Sequence, residues 1–188
     1  MDIYLIRHTR PTVASGICYG RLDVDLPENF ADDAARLPAA LPRGAPILSS
    51  DAQRCRRLAA HLAAALGSTL RVDERLRELD FGRWEGQPWQ DIPRAQTDAW
   101  ARDVWNHSAP EGESYGSMHA RVGAVWESML VTAEEALILV GHAGPLRALI
   151  TIALELPVES FIRLHLDYGG LAKLSDSTGG WRLEFANR

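Results

Sequence analysis

Three apolar segments alternate with helical patterns along this chain, and a basic or imidazole side chain follows each of them. The segments and the side chains that follow them are DIYLI with Arg7 and His8, APILSS with Arg54, and ALILVG with His142. Short apolar runs that alternate with helices predict parallel strands buried on both faces. The carboxyl ends of parallel strands share one edge of a sheet, where open α/β sheets bind ligands. We therefore expect these four side chains to meet in one pocket.

The order of elements predicts an α/β fold, a three-layer sandwich with a mostly parallel central sheet flanked by helices. Residues 1–188 are expected to form a single domain. Further strands are expected at 69–72, 163–167, 171–175 and 181–185. Helices are expected at 28–41 with a break at Pro38, from an N-cap at Ser50 or Asp51 to Gly67, at 94–106 and at 114–132. A last helix is expected to begin after Ala143, with Pro145 in its first turn, and to run to about Leu154.

Composition argues against several classes of protein. A net charge of −5 disfavours nucleic-acid binding through a broad basic surface. The apolar stretch that begins at Ala136 contains His142, Pro145 and Arg147, which predicts a strand, a turn and a helix and not a membrane span. Arg7 interrupts the first apolar run too early for a secretory signal. The two cysteines fit neither a metal site nor a disulfide framework, so free thiols and a cytoplasmic location are expected.

The four converging side chains suit a phosphoryl group, because guanidinium forks match phosphate oxygens. Two cations beside His8 would keep its imidazole neutral and nucleophilic at neutral pH. His142, on the opposite wall, would donate a hydrogen bond to the phosphoryl oxygens. The leaving alcohol needs a proton from a carboxyl group near the phosphate. The candidates are Glu74, Glu78, Asp80 and Glu85, and spacing alone does not choose among them.

Five motifs extend this pattern along most of the chain. They are LIRHT at 5–9, SSDAQR at 49–54, RELDFGRWEG at 77–86, PEGES at 110–114 and LVGHAG at 139–144. In this order they resemble the motifs of the histidine phosphatase superfamily, also called the phosphoglycerate mutase-like group. The resemblance implies a phosphoglycerate mutase-like fold and a phosphatase that needs no cofactor or metal. It also implies particular roles: His8 as the phosphorylated residue, Glu78 as the proton donor, and Arg7, Arg54 and His142 as the phosphate pocket.

Two positions depart from the common family pattern. Thr9 stands where glycine is more common, and Ala14 stands where many members have asparagine. We expect Thr9, Arg10 or Tyr19 to supply the phosphate contact that asparagine makes elsewhere. The predicted substrate-binding residues are therefore Arg7, Arg54, Thr9, Tyr19 and Ala143.

The stretch GICYGRLDVDL at 16–26 resembles the version found in α-ribazole phosphatase-like members. It implies α-ribazole 5′-phosphate, from cobalamin synthesis, as the substrate. A broad-specificity sugar or nucleotide phosphatase, a phosphoglycerate mutase-type isomerase and a non-catalytic phospho-ligand binding protein stay open as alternatives. The chain lacks the extra segments of the longer glycolytic mutases, which favours hydrolysis. The expected partner is a small phosphorylated metabolite, without nucleic acid or membrane, and the protein is expected to be a monomer or a homodimer.

Residues 84–118 are irregular in pattern and rich in tryptophan. In the superfamily this region tends to cover the pocket, so the resemblance implies a cap-like insertion here, which we call the cap segment. Its aromatic side chains, with Tyr19, are expected mainly to pack against each other. The alternative is that one or two of them stack on a flat ring of the substrate. Those of the cap segment are Trp84, Trp89, Trp100, Trp105 and Tyr115.

Overall fold

The computed structural model describes all 188 residues and contains one six-stranded sheet. The strands are β1 (Asp2–Arg7), β2 (Ile47–Ser49), β3 (Leu70–Val72), β4 (Ala136–Gly141), β5 (Leu171–Ser177) and β6 (Gly180–Phe185), in the spatial order β3-β2-β4-β1-β5-β6. The first four are mutually parallel, β5 is antiparallel to β1, and β6 is antiparallel to β5. The carboxyl ends of β1, β2 and β4 therefore lie side by side at one edge, as the sequence predicts.

Helices cover both faces of this sheet. The α-helices are α1 (Phe30–Ala34), α2 (Gln53–Leu66), α3 (Arg94–Arg102), α4 (Tyr115–Leu130) and α5 (Ala143–Ala153). Short 3-10 helices are found at Pro38–Ala40, Glu74–Leu76, Gly82–Trp84, Trp89–Asp91 and Val158–Arg163. The predicted three-layer α/β sandwich with a mostly parallel sheet is confirmed. None of the helices is both long and apolar enough to span a bilayer.

Side chains of the central strands alternate between two apolar clusters, as the period of a strand requires. Ile3 and Leu5 of β1 belong to the cluster beneath α4 and α5, whereas Ile6 belongs to the one beneath α1 and α2. In β4, Leu139 and Val140 divide in the same way. Both faces of the parallel region are thus buried, which holds the carboxyl edge in a fixed position.

Two predictions about local structure are wrong, and two predicted helices are shorter than expected. Residues 163–167 form no strand: Arg163 ends a 3-10 helix, and the carbonyl of Leu166 accepts a hydrogen bond from the side chain of Arg7 and not from a neighbouring strand. The N-cap of α2 is Ala52 and neither Ser50 nor Asp51. Their side chains are used elsewhere, since Ser50 bonds to His142 and Asp51 pairs with Arg77.

The helices predicted at 28–41 and 94–106 are shorter than expected. The first ends at Ala34 and resumes as a 3-10 turn at Pro38, so the predicted break lies a few residues earlier. The second ends at Arg102, where the carboxylate of Asp103 accepts hydrogen bonds from the backbone and side-chain amides of Asn106 and so forms a turn.

Candidate active site

A cavity of about 310 Å³ lies at the carboxyl edge of the sheet. Its lining has 19 residues, 12 of them hydrophobic. The charged and imidazole side chains of the lining are Arg7, His8, Arg54, Glu78, His142 and Arg147. The structure therefore brings together all four of the basic and imidazole side chains that follow the strands, and adds one carboxylate and a third guanidinium.

His8 follows the last residue of β1 and is only 2% exposed. Its Nδ1 lies 2.7 Å from the carbonyl oxygen of Thr9. A carbonyl can only accept a hydrogen bond, so Nδ1 carries the proton and a neutral ring leaves an unshared electron pair on Nε2. Burial, and then the nearby cations Arg54 and Arg7, lower the pKa of His8 to about 3. His8 is therefore neutral at physiological pH.

Two guanidiniums are fixed beside this imidazole. Arg54, in the first turn of α2, is completely buried and donates hydrogen bonds to the carbonyl oxygens of Gly20 at 2.7 Å and Leu22 at 2.9 Å. Arg7 donates to the carbonyl oxygen of Leu166 at 2.7 Å, and its Cζ lies 3.7 Å from the centre of the Tyr168 ring. Each guanidinium thus uses only some of its N–H groups on the protein.

His142 begins the turn between β4 and α5 and is fully buried. The centres of its ring and the ring of His8 are 5.2 Å apart. Its Nε2 lies 2.9 Å from Ser50 Oγ and 3.4 Å from Cys55 Sγ. Burial, with Arg54 as the next contribution, holds its pKa well below the ordinary value, so this imidazole is also neutral.

Glu78 is held at the N-terminus of α5. Its two carboxylate oxygens lie 3.1 and 3.2 Å from the backbone nitrogen of Gly144, and Oε1 also accepts from the nitrogen of Leu79 at 3.0 Å. A Cβ atom on Gly144 would lie 2.2 Å from Glu78 Oε1, so the glycine makes this approach possible. Of the four carboxylates that the sequence left as candidates, only Glu78 lines the cavity.

The charges of the lining favour a doubly charged anion. Three guanidiniums and one carboxylate, with both imidazoles neutral, give the cavity a formal charge of +2. A phosphate group carries about −1.5 to −2 charge at neutral pH. The N-terminus of α5 adds backbone N–H groups at the same edge.

The other predicted binding residues fall in different places. Tyr19 and Ala143 line the cavity, and the hydroxyl of Tyr19 bonds to that of Tyr168. Thr9 does not line it; the residue is 1% exposed and contributes its carbonyl to His8. Ala14 and Arg10 also lie outside the lining.

Sequence reasoning did not single out Arg147, Tyr168 or Phe161, all of which line the cavity. Arg147 lies on α5, one helical turn after Ala143. A residue one turn into a helix that starts beside His142 is expected near the same pocket, so this spacing could have indicated Arg147. It makes no hydrogen bond or ion pair within the protein, and burial lowers its pKa. Tyr168 and Phe161 come from irregular segments without any periodic signal, so only the folded structure places them.

Acid is expected to destabilise this protein partly through His8. Between its ordinary pKa of about 6.5 and its folded pKa of about 3, the unfolded chain binds a proton that the folded chain does not. The free energy of unfolding should therefore fall as the pH falls through this window, by about 1.4 kcal/mol per pH unit. Urea unfolding of the parent and of His8→Asn at about pH 7 and about pH 5 measures this.

The Asn variant should lose less stability on acidification than the parent. His107→Asn is the matched control, because the His107 side chain is 60% exposed. It should keep the parent's dependence on pH. Equal slopes for His8→Asn and the parent would show that His8 is not held neutral by its surroundings.

Comparison with known proteins identifies the family. The sequence profile described as histidine phosphatase superfamily (branch 1) matches residues 3–188. The chain belongs to the histidine phosphatase superfamily. Among relatives, a protein of Hydrogenobacter thermophilus, provisionally named phosphoserine phosphatase 2, is 30% identical over 92% of this chain and 88% of its own length. The protein is accordingly a phosphatase that acts on small phosphorylated substrates.

Solved structures of histidine phosphatases have the same architecture. The native structure of a mycobacterial glucosyl-3-phosphoglycerate phosphatase has a TM-score of 0.84 and 27% identity, over 99% of this chain and 98% of the other. The α-ribazole phosphatase of Shigella flexneri has a TM-score of 0.87 at 22% identity, over 100% of this chain and 96% of the other. At that identity the second likeness shows the fold alone.

Proposed function

We propose that this histidine phosphatase hydrolyses a phosphate monoester through a phosphohistidine formed on His8. The observation that carries the proposal is the hydrogen bond from His8 Nδ1 to the carbonyl of Thr9. It fixes the tautomer in which Nε2 has a free electron pair, inside a cavity with a net positive charge. A neutral imidazole among fixed guanidiniums is a suitable nucleophile for phosphorus.

In the first step, Nε2 of His8 forms a bond to phosphorus, and the bond between phosphorus and the ester oxygen breaks. The electrons of that bond stay on the leaving oxygen, which takes a proton from Glu78 in its acid form. Arg7 and Arg54 stabilise the negative charge on the phosphoryl oxygens during transfer. His142, whose Nε2 can accept from the Ser50 hydroxyl, then has its proton on Nδ1, which lies 3.9 Å from Cys55 Sγ and can donate to the same oxygens.

In the second step, a water molecule gives a proton to the carboxylate of Glu78 and attacks phosphorus. The bond from phosphorus to Nε2 breaks, and its electrons return to the imidazole. Inorganic phosphate is released, and both His8 and Glu78 regain their starting states. One carboxyl group thus acts first as acid and then as base.

Within this reaction we propose α-ribazole 5′-phosphate as the natural substrate. The segment 16–26, which carries the resemblance to α-ribazole phosphatase-like members, forms part of the cavity wall through Ile17 and Tyr19. The same segment accepts the two hydrogen bonds of Arg54 through the carbonyls of Gly20 and Leu22. The proposed cap segment contributes further lining residues, among them Trp89, Trp100 and Val104.

Trapping the intermediate tests this proposal. We expect that rapid quenching during turnover of a ³²P-labelled ester yields protein-bound label that is lost in acid and retained in base. Peptide mapping should place the label on residue 8. Label on another residue would overturn the mechanism. So would turnover during which no protein-bound label appears at any time after mixing. In a coupled assay with 3-phosphoglycerate and a bisphosphate primer, isomerisation well above hydrolysis would instead show a mutase.

A further inference from the structure

The cavity has two chemically different halves. The phosphate half contains the guanidiniums and imidazoles described above. The other half is aromatic: the lining has seven Phe, Trp or Tyr residues, out of 14 in the whole chain, and five of them lie there, because Tyr19 and Tyr168 are beside Arg54 and Arg7. We call the part of this half formed by Phe81, Trp89, Trp100, Tyr115 and Phe161 the aromatic wall. Half of the chain's aromatic residues are therefore gathered around one small cavity.

The rings of the aromatic wall hold one another in place. Phe81 packs nearly perpendicular to Trp89, with centres 5.3 Å apart, and also contacts Trp100 at 5.8 Å. Tyr115 and Phe161 are stacked at 3.8 Å with an angle of 19°. Such edge-to-face and stacked contacts restrict ring motion. The wall therefore presents fixed aromatic surfaces.

Trp89 is the most exposed ring of the aromatic wall, since Tyr115 is buried and the other three rings are only partly exposed. It lines the cavity and is still 37% exposed, whereas Trp84 behind it is 3% exposed and lies outside the lining. Indole surface left open beside a ligand site is available for stacking on a flat ligand group. Trp84 therefore packs against other rings, as expected for the cap segment. Trp89 is instead placed so that it can stack on a flat ring of the substrate, which is the alternative expectation.

The aromatic wall offers little to a sugar or an amino acid. Hydroxyls and ammonium groups need polar partners when they are buried. Among the polar side-chain atoms of the wall, the Tyr115 hydroxyl and the Trp100 indole N–H are buried without a partner in the protein, and these are too few for the several hydroxyls of a sugar. The nearby hydroxyls of Tyr19 and Tyr168 are bonded to each other. Arg147 is the one unpaired cation, and a guanidinium also stacks favourably on an aromatic ring.

The size of the cavity limits the occupant further. A volume of about 310 Å³ is at the lower end of the range for small-molecule sites, roughly 300–1,000 Å³. It suits one small phosphate ester that carries a ring system. A folded phosphoprotein or an extended peptide would need a longer groove.

From these observations we infer that the aromatic wall binds the alcohol half of the substrate, and that this alcohol carries a flat aromatic group that stacks on Trp89. The inference rests on the proposed function, since the phosphate half must hold the phosphoryl group while the ring lies on the wall. It specifies the class of substrate: phosphate monoesters of ring-bearing alcohols, in preference to phosphosugars, phosphoserine or phosphoglycerates.

Matched synthetic esters test the inference without a confounding change in leaving group. Naphthylethyl phosphate, ethyl phosphate and phosphoserine all release a primary alcohol, so differences in kcat/KM report binding of the remainder. We expect kcat/KM for the naphthyl ester to exceed that for ethyl phosphate by about tenfold or more. Trp89→Ala should reduce this ratio by about tenfold, as expected when stacking on one ring is lost.

Trp105→Ala is the matched control. Trp105 belongs to the cap segment and is 36% exposed, almost the same as Trp89, but it does not line the cavity. Its replacement should leave the ratio as in the parent. Trp89→Leu keeps an apolar side chain at this position and should also lower the ratio of kcat/KM for the two esters. This variant replaces Trp89→Ala in the test if the alanine variant folds poorly.

The outcomes separate this inference from the proposed function. A parent enzyme that hydrolyses none of the esters and forms no phosphohistidine contradicts the proposed function. A parent that forms phosphohistidine but treats the naphthyl and ethyl esters alike contradicts only the aromatic subsite. Faster hydrolysis of phosphoserine than of the naphthyl ester, or equal effects of Trp89→Ala and Trp105→Ala, also overturns the subsite.

Discussion

Replacement of His8 by alanine is expected to lower kcat for every phosphate ester by about four orders of magnitude or more. No other side chain can take over, because His142, the only other imidazole of the lining, has its Nε2 bonded to Ser50 and Cys55. Loss of the nucleophile removes the covalent route altogether. Steady-state phosphate release by the parent and the variant measures the effect.

The phosphate half should remain able to bind an anion in this variant. Arg54 takes its position from the carbonyls of Gly20 and Leu22, and Arg7 takes its position from Leu166 and Tyr168. Calorimetry with inorganic phosphate should therefore still detect binding to His8→Ala, which shows that the protein is folded. His107→Ala, at an exposed position, should retain the activity of the parent. Equal turnover by His8→Ala and the parent would end the phosphohistidine mechanism.

The position of the site could be predicted because it depends on strand ends. Arg7, His8 and His142 each come within one residue of the end of a central strand, and hydrophobic runs reveal such strands well. Arg54 could be placed because the predicted N-cap at Ser50 or Asp51 is only one or two residues before the observed one, Ala52, and so still puts Arg54 in the first turn. For these residues, local pattern and sheet topology together determine the location.

Other features depend on contacts that the sequence does not display. The alternation of Leu164 and Leu166 suggests a strand, but only Leu166 is buried, and its carbonyl accepts from Arg7. Ser50 and Asp51 have good capping side chains, yet bonds to His142 and Arg77 use them. A short local pattern cannot show which long-range partner will compete for a polar side chain.

The aromatic residues show the same limit more clearly. Trp84, Trp89, Trp100 and Trp105 are close in sequence, but Trp84 is buried, Trp89 and Trp100 line the cavity, and Trp105 lies outside it. Irregular segments have no periodicity from which a facing direction can be derived. Sequence could therefore indicate an aromatic cap segment, and the structure was needed to divide its rings between packing and the cavity wall.

Replacement of Glu78 by glutamine is expected to slow hydrolysis of ethyl phosphate by about 10²–10⁴-fold, because the amide cannot protonate the leaving oxygen. The loss should be much smaller for 4-nitrophenyl phosphate, whose phenolate leaves without a proton. Oε1 of Glu78 alone accepts from both Leu79 and Gly144, so an amide whose oxygen takes this place keeps both bonds and fits the same space. Measuring kcat for the two esters in parent and variant gives the dependence on leaving group.

Glu85→Gln is the matched control, since Glu85 lies in the same motif and is another of the four candidate carboxylates. Its Oε1 accepts from the backbone nitrogens of Arg21 at 2.8 Å and Phe81 at 3.0 Å, and its Oε2 accepts from Leu22. These bonds fasten the segment 16–26 to the segment 77–86. An amide group would turn a donor toward one of these N–H groups, so the variant should lose about 1–3 kcal/mol of stability.

The two variants should therefore change different properties of the protein. Glu78→Gln should change the ratio of rates for the two esters with little effect on urea unfolding, whereas Glu85→Gln should lower the unfolding midpoint and leave that ratio as in the parent. The reverse result would assign the proton to Glu85, although its carboxylate lies outside the cavity lining. Unchanged ratios in both variants would mean that the leaving alcohol takes its proton from a group other than these carboxyls, and the second half of the proposed mechanism would need a different base.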